Sequence, residues 1–171
     1  AVTLDINVTN PVLQVGQAKP ALAFDGVDDY VEVPDDPSLD LGLPFTLECW
    51  AKIPEVFTGV GYLFRHLKNY GMYSRDRKLV CIYYDGTAWR GYYTEVCLAD
   101  GEWHHVVTVW EASDSDTKIK VYIDGIYREE AIITGQPTTT TKPLWIGSGN
   151  PPINAEYLHG LIGGVRIYNR A

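Results

Sequence analysis

An all-β fold, a sandwich of two antiparallel sheets, is what this sequence predicts, on three observations. Apolar and polar residues alternate through several short segments, the pattern of a strand buried on one face. Turn pairs rich in Gly, Asp and Asn separate those segments at near-regular spacing. No segment carries the 3.6-residue period of an amphipathic helix.

Composition bounds the class. At 171 residues the chain has the size of one domain, enough to bury a core that needs no metal or disulfide scaffold. With 46% hydrophobic and 12% aromatic residues, disorder, collagen and coiled coil are excluded. No apolar run approaches the roughly 20 residues of a membrane span. Nucleic acid is excluded as a partner: 22 acidic against 14 basic residues give a net charge of −8, with no Lys/Arg stripe.

Along the chain, AVTLDINVTN has neither a basic nor an apolar leader segment, and IYNRA stops abruptly after a strand pattern. Both fit a module cut from a longer chain; removal of a leader is the alternative. Asn7-Val8-Thr9 is a glycosylation sequon, with chance as its favoured origin. Residues 1–19 read as an extension or first strand and residues 20–171 as the domain. DYVEV turns Val31 and Val33 inward. FTLECWAKI turns Phe45, Leu47, Cys49, Ala51 and Ile53 to one face, with Thr46, Glu48, Trp50 and Lys52 on the other. KIKVYIDG does the same with Ile119, Val121 and Ile123. Further strand patterns are GYLF, NYGMY, KLVCIYY, EWHHVVTVW, REEAII, PLWIG and GLIGGVRIY. Asp124-Gly125 is the best hairpin signal, because a type I′ turn needs positive φ at both central residues. Thr138–Thr141 reads as a loop.

Cys49 sits on an apolar face as a small hydrophobe. If KLVCIYY pairs with YTEVCL, Cys81 and Cys97 flank the loop DGTAWRGYY, where a disulfide would fit an oxidising compartment. A one-residue slip turns the thiols apart, so bridged and free states both stand. No spacing indicates zinc.

Six segments in order, ALAFDGVDDYVEV, FTLECWAKI, GEWHHVVTVW, IKVYIDG, PLWIGSG and LHGLIGGVRIYNRA, resemble the laminin-G-like domains of the concanavalin A-like lectin/glucanase superfamily. The resemblance spans about Pro20 to Ala171. It implies a jelly roll of concanavalin A-like form, glycan binding on the concave sheet or rim loops, and a calcium ion in many members. Through it, Asp25, Asp28 and Asp29 are the expected Ca2+ ligands, a structural cofactor; ordinary turn chemistry also explains these residues. Where relatives carry an acidic Ile-Asp-Glu-Val, this chain has Ile162-Gly163-Gly164-Val165, which removes two carboxylates. Glu111, Asp114 and Asp116 form a second acidic loop.

The superfamily also holds glycoside hydrolases, whose retaining members need two carboxyls about 5–5.5 Å apart. Asp28 and Glu32 share a face but are separated by about 13 Å of strand. Asp114 and Asp116 have the spacing but read as loop. His104 and His105 point to opposite faces and read as packing residues. No catalytic residue is assigned.

Sugars are held by aromatic faces with polar groups on the hydroxyls. Tyr62 to Tyr93 is dense in both, and Trp89, Arg90, Tyr92, Tyr70, Arg65 and His66 are the candidate ligand-binding residues. Trp89 leads because it falls in a turn-rich segment rather than a strand pattern. The expectation is a noncatalytic lectin-like module of a secreted or surface-displayed protein, for carbohydrate recognition or adhesion. Its partner would be a carbohydrate or surface glycoprotein. The competing reading is a structural or protein–protein interaction module of a surface layer, filament or virion; a glycoside hydrolase stands third.

Overall fold

The computed structural model describes residues 7–9, 12–14, 20–153 and 156–171. Its strands are β1 (Asn7–Thr9), β2 (Val12–Gln14), β3 (Ala21–Asp25), β4 (Tyr30–Val33), β5 (Phe45–Lys52), β6 (Val60–His66) and β7 (Tyr70–Arg75). They continue with β8 (Lys78–Tyr84), β9 (Trp89–Cys97), β10 (Trp103–Ser113), β11 (Asp116–Ile123), β12 (Ile126–Ile133), β13 (Leu144–Ile146) and β14 (His159–Tyr168). One 3-10 turn, Pro37–Leu39, is N-capped by Asp36. The first sheet runs β1-β4-β13-β6-β7-β8-β9 and the second β12-β11-β10-β5-β14-β3-β2. This is the two-sheet antiparallel sandwich that the alternation predicts, in the jelly-roll form that the resemblance implies.

The predicted inward faces are the core. Phe45, Leu47, Cys49, Ala51 and Ile53 are buried, as are Val31, Val33, Ile119, Val121 and Ile123. Trp110 fills the centre, stacked at 5.1 Å on Phe45 and edge-on at 5.9 Å to Tyr83. Its indole N–H donates to Thr108 Oγ1 at 2.8 Å, so this large ring is buried without an orphaned donor. Asp124 (φ 55°) and Gly125 (φ 77°) form the expected type I′ turn between β11 and β12. Asp76 (φ 49°) and Arg77 (φ 72°) make the same turn between β7 and β8 without a glycine.

One open alternative is resolved and two expectations are corrected. β8 and β9 pair antiparallel, but Cys97 lies opposite Lys78 and Cys81 opposite Tyr92, so the thiols never meet and all three cysteines are free. Glu111-to-Asp116 is no open acidic loop but a hairpin, with Glu111 ion-paired to Lys120 at 2.6 Å. Trp89 is not a loop residue; it opens β9.

Candidate functional site

The outer face of the first sheet carries a cleft, and strand register explains its composition. Arg65, Gly71, Ile82 and Gly91 lie in one row across β6 to β9; Tyr62, Tyr73, Val80 and Tyr93 lie in the next. On β7, β8 and β9 these rows are two residues apart, as a pleated strand requires. On β6 they are three apart, because the register shifts between Tyr62 and Phe64. That irregularity sends both Leu63 and Phe64 into the core and returns Arg65 to the face of Tyr62. Gly71 leaves room for the Arg65 stem, since a Cβ there would lie 3.3 Å from Arg65 Cγ.

The cleft encloses about 390 Å³ and is lined chiefly by Tyr62, Arg65, Tyr73, Trp89, Tyr93 and Glu156, with Arg90 beside Trp89. Tyr62, Tyr73, Val80 and Ile82 pack as a small apolar cluster separate from the main core. The Arg65 guanidinium lies between two rings, 4.4 Å from the Trp89 centroid and 5.1 Å from that of Tyr62. Its Nη1 donates to the Gly149 carbonyl at 3.3 Å, and Nε is buried without a partner. Gly149 must be a glycine for this approach, because a Cβ there would sit 2.6 Å from the Tyr62 ring. Burial pushes the Tyr62 hydroxyl up to about 12. Trp89 is held by the turn before it. Asp85 Oδ1 accepts from the Thr87 and Ala88 amides at 2.8 and 2.7 Å, and Oδ2 accepts from Arg90 Nε at 2.5 Å. Bonds from Thr87 and Ala88 chiefly, with that from Arg90, hold the Asp85 carboxyl far below the usual range.

Of the six candidate residues the structure brings Arg65, Trp89 and Arg90 to this cleft and takes three elsewhere. Tyr70 is fully buried against Phe45, with its hydroxyl donating to the Leu39 carbonyl at 3.1 Å. His66 is buried too, with Nε2 2.7 Å from the Lys142 carbonyl, and burial lowers its pKa. Tyr92 faces across the sandwich edge and donates to Glu129 of β12 at 2.6 Å. All three sit one residue out of phase with the outer face. Tyr62, Tyr73, Tyr93 and Glu156 take their place. The first three were visible as part of the aromatic stretch, but nothing in the sequence brings Glu156 to β6.

Asp25, Asp28 and Asp29 do converge, with carboxylate oxygens within 4.8 Å of one another. The Asp25 amide donates to Asp29 Oδ2 at 2.9 Å, and Asp25 Oδ1 accepts from the Val27 amide at 2.7 Å. Burial chiefly, with the neighbouring charges of Asp25 and Asp28, raises the Asp29 pKa despite the amide bond. Hard oxygen donors clustered this closely fit a calcium ion. The departure at Gly163-Gly164 bears on another place. His159 pairs with Asp25 but Ile162 with Leu22, which puts the glycines about 13 Å along the strand from the cluster. A Cβ at Gly163 would lie 2.8 Å from the Pro20 carbonyl, so no side chain fits there.

Sheet order and cleft define a class, the two-sheet β-sandwich with an outer-face cleft. Within it, the chain belongs to the concanavalin A-like lectin/glucanases superfamily, whose Laminin_G_3 model matches residues 25–171. No curated protein matches it by sequence. Solved structures of similar fold include domain 4 of a GH43 extracellular arabinanase from Geobacillus stearothermophilus in complex with arabinotriose. That match has TM-score 0.68 and 18% identity, over 96% of this chain and 81% of that one. The binding domain of Botulinum neurotoxin DC in complex with rat synaptotagmin II matches with TM-score 0.68 and 13% identity, over 98% of this chain and 43% of the other. Mouse laminin alpha1 domains LG4-5 match with TM-score 0.63 and 16% identity, over 90% and 41%. The chain therefore spans less than half the length of the toxin and laminin chains it matches. At these identities the likeness is one of fold.

Proposed function

We propose that this domain is a noncatalytic glycan-binding module that takes its ligand in the cleft between Trp89, Tyr93 and Tyr62. One observation carries the reading: an open, ring-lined cleft with a fixed guanidinium on the outer face of a sheet. Tyr93, 60% exposed, offers a free ring face for stacking on a sugar. One face of Trp89 is taken by Arg65, so its 38% exposure serves the cleft as a wall. Among the described residues Glu156 is the one carboxylate lining this cleft, whereas glycoside hydrolysis uses two, which supports binding without catalysis. Calcium at Asp25, Asp28 and Asp29 would pin the β3–β4 turn as a structural ion. We place the domain in a secreted or surface-displayed protein, in keeping with the extracellular arabinanase of similar fold. No helix among the described residues is long and apolar enough to cross a membrane.

A glycan array in calcium buffer, with Trp89→Ala and Tyr93→Ala beside the parent, tests this. Signal on a defined sugar class, weakened in both variants, is the expected result; a blank array overturns it. A blank array would favour the second reading, a protein-interaction module. Exposed Ile126, Tyr127 and Ile132 on β12, an edge strand, favour that reading.

A further inference from the structure

The cleft contains a cation that, among the described residues, has no ion-pair partner. Arg65 is only 9% exposed. Among the described residues it makes no ion pair; its guanidinium bonds to one backbone carbonyl through Nη1, and Nε has no partner. A buried charge is ordinarily paired, because desolvation without a counter-charge costs several kcal/mol. The other cation of the cleft is different: Arg90 is already bonded to Asp85. Cation–π contact with Trp89 and Tyr62 holds the Arg65 plane in place but supplies no hydrogen-bond acceptor.

We infer that Arg65 is the recognition residue for an acidic sugar, one whose ring carries a carboxylate, as in uronic or sialic acids. The inference rests on the glycan-binding reading above and names the ligand class. A carboxylate carries the counter-charge and two strong acceptor oxygens for the guanidinium donors that the Gly149 bond leaves uncommitted. Stacking of the sugar ring on Tyr93 would place that substituent toward the guanidinium, since both line one cleft. Sulfated sugars share the negative charge but present it tetrahedrally, so they rank below carboxylates. Two features oppose an acidic ligand. Glu156 lines the cleft and is exposed, where water screens it. The net charge of −8 acts over distances that salt screens beyond about 8 Å.

The test is calorimetric titration of the intact chain with matched ligands: lactose against 3′-sialyllactose, galactotriose against trigalacturonate, and a sulfated disaccharide as the third arm. Carboxylated members are expected to bind about tenfold or more tighter than their neutral partners, the worth of one charge-assisted bond. Arg65→Lys, which keeps the charge but loses the fork, should erase most of that preference. Glu156→Gln should widen the preference. Equal affinity for neutral and carboxylated members overturns the inference and leaves the glycan reading intact. Tighter binding of the sulfated sugar overturns the carboxylate assignment. No binding of any sugar overturns both. The wild-type comparison decides the matter even if the Arg65 variants fail to fold.

Discussion

The outer faces of the two sheets handle charge in opposite ways. On the second sheet the charges around Glu48, His104, Lys118 and Lys120 are paired. Glu48 accepts from His105 Nε2 at 3.0 Å, Arg166 Nη1 at 2.7 Å and the Tyr168 hydroxyl at 2.9 Å. His104 lies between Asp124 and Asp100 at 2.9 and 3.1 Å, and Lys118 and Lys120 pair with Glu130 and Glu111. On the first sheet Arg65 is more deeply buried than any of these cations and has only a carbonyl. A closed network is a structural device, complete without a ligand. A buried cation left open is incomplete, and that incompleteness is what points to binding.

The comparison breaks if removing Glu48 and removing Arg65 have similar consequences. Glu48→Ala leaves three donors without their common acceptor and should cost about 2–3 kcal/mol in urea denaturation, with sugar binding unchanged. Arg65→Met should instead leave stability within about 1 kcal/mol, or raise it, because an unpaired charge gives way to an apolar side chain of similar size. Binding of acidic sugars should be lost in that variant.

The acidic turn at β3–β4 sits between the two extremes, as a like-charge cluster for which calcium is the proposed counter-ion. Calcium at about 100-fold over its dissociation constant should stabilise the protein by about 2.7 kcal/mol. The thermal midpoint should fall back on chelation, and Asp28→Asn should not respond to the ion. A midpoint indifferent to calcium would make the cluster a turn device only.

Tyr93→Ala removes an exposed ring and should weaken glycan binding by about 1 kcal/mol, roughly fivefold, with an unchanged unfolding midpoint. A matching loss of stability would mean that Tyr93 belongs to the packing of Tyr62 and Tyr73 instead.

The smallest effect expected is on pH dependence. Burial disfavours the charged form of His104, but the hydrogen bonds it donates to Asp124 and Asp100 outweigh it and raise the pKa above 6.5. Its contribution is therefore fully present below pH 6.5 and lost as pH rises through the raised folded value. Asp100 and Asp124 are partly buried, yet amide bonds and His104 lower both; their contribution is present above pH 3.8 and lost as pH falls through the depressed values. Stability should decline by under about 1 kcal/mol between pH 6 and 9, and His104→Asn should flatten that decline. An equal decline in the variant would assign it elsewhere.

Much of the fold could be read locally. FTLECWAKI and KIKVYIDG disclosed their inward residues because the side-chain period of a strand is two, and Asp124-Gly125 disclosed its turn because the backbone there needs positive φ. The site was half legible. Aromatic density between Tyr62 and Tyr93 marked the region, yet Tyr70, His66 and Tyr92 lie one residue out of phase and face inward or across the edge. Without register, ring density cannot tell an outer face from an inner one.

From sequence alone came the all-β class, the faces of the regular strands, the principal hairpin and the acidic turn, all properties of residues within a few positions of one another. Register and the irregularity in β6 were settled only by strands packing across the sheets. So were the separation of Cys81 from Cys97 and the arrival of Gly149 beside Arg65, 84 residues away. Such features depend on which distant segments pair and by how much they slip, and no local pattern of side chains encodes that offset.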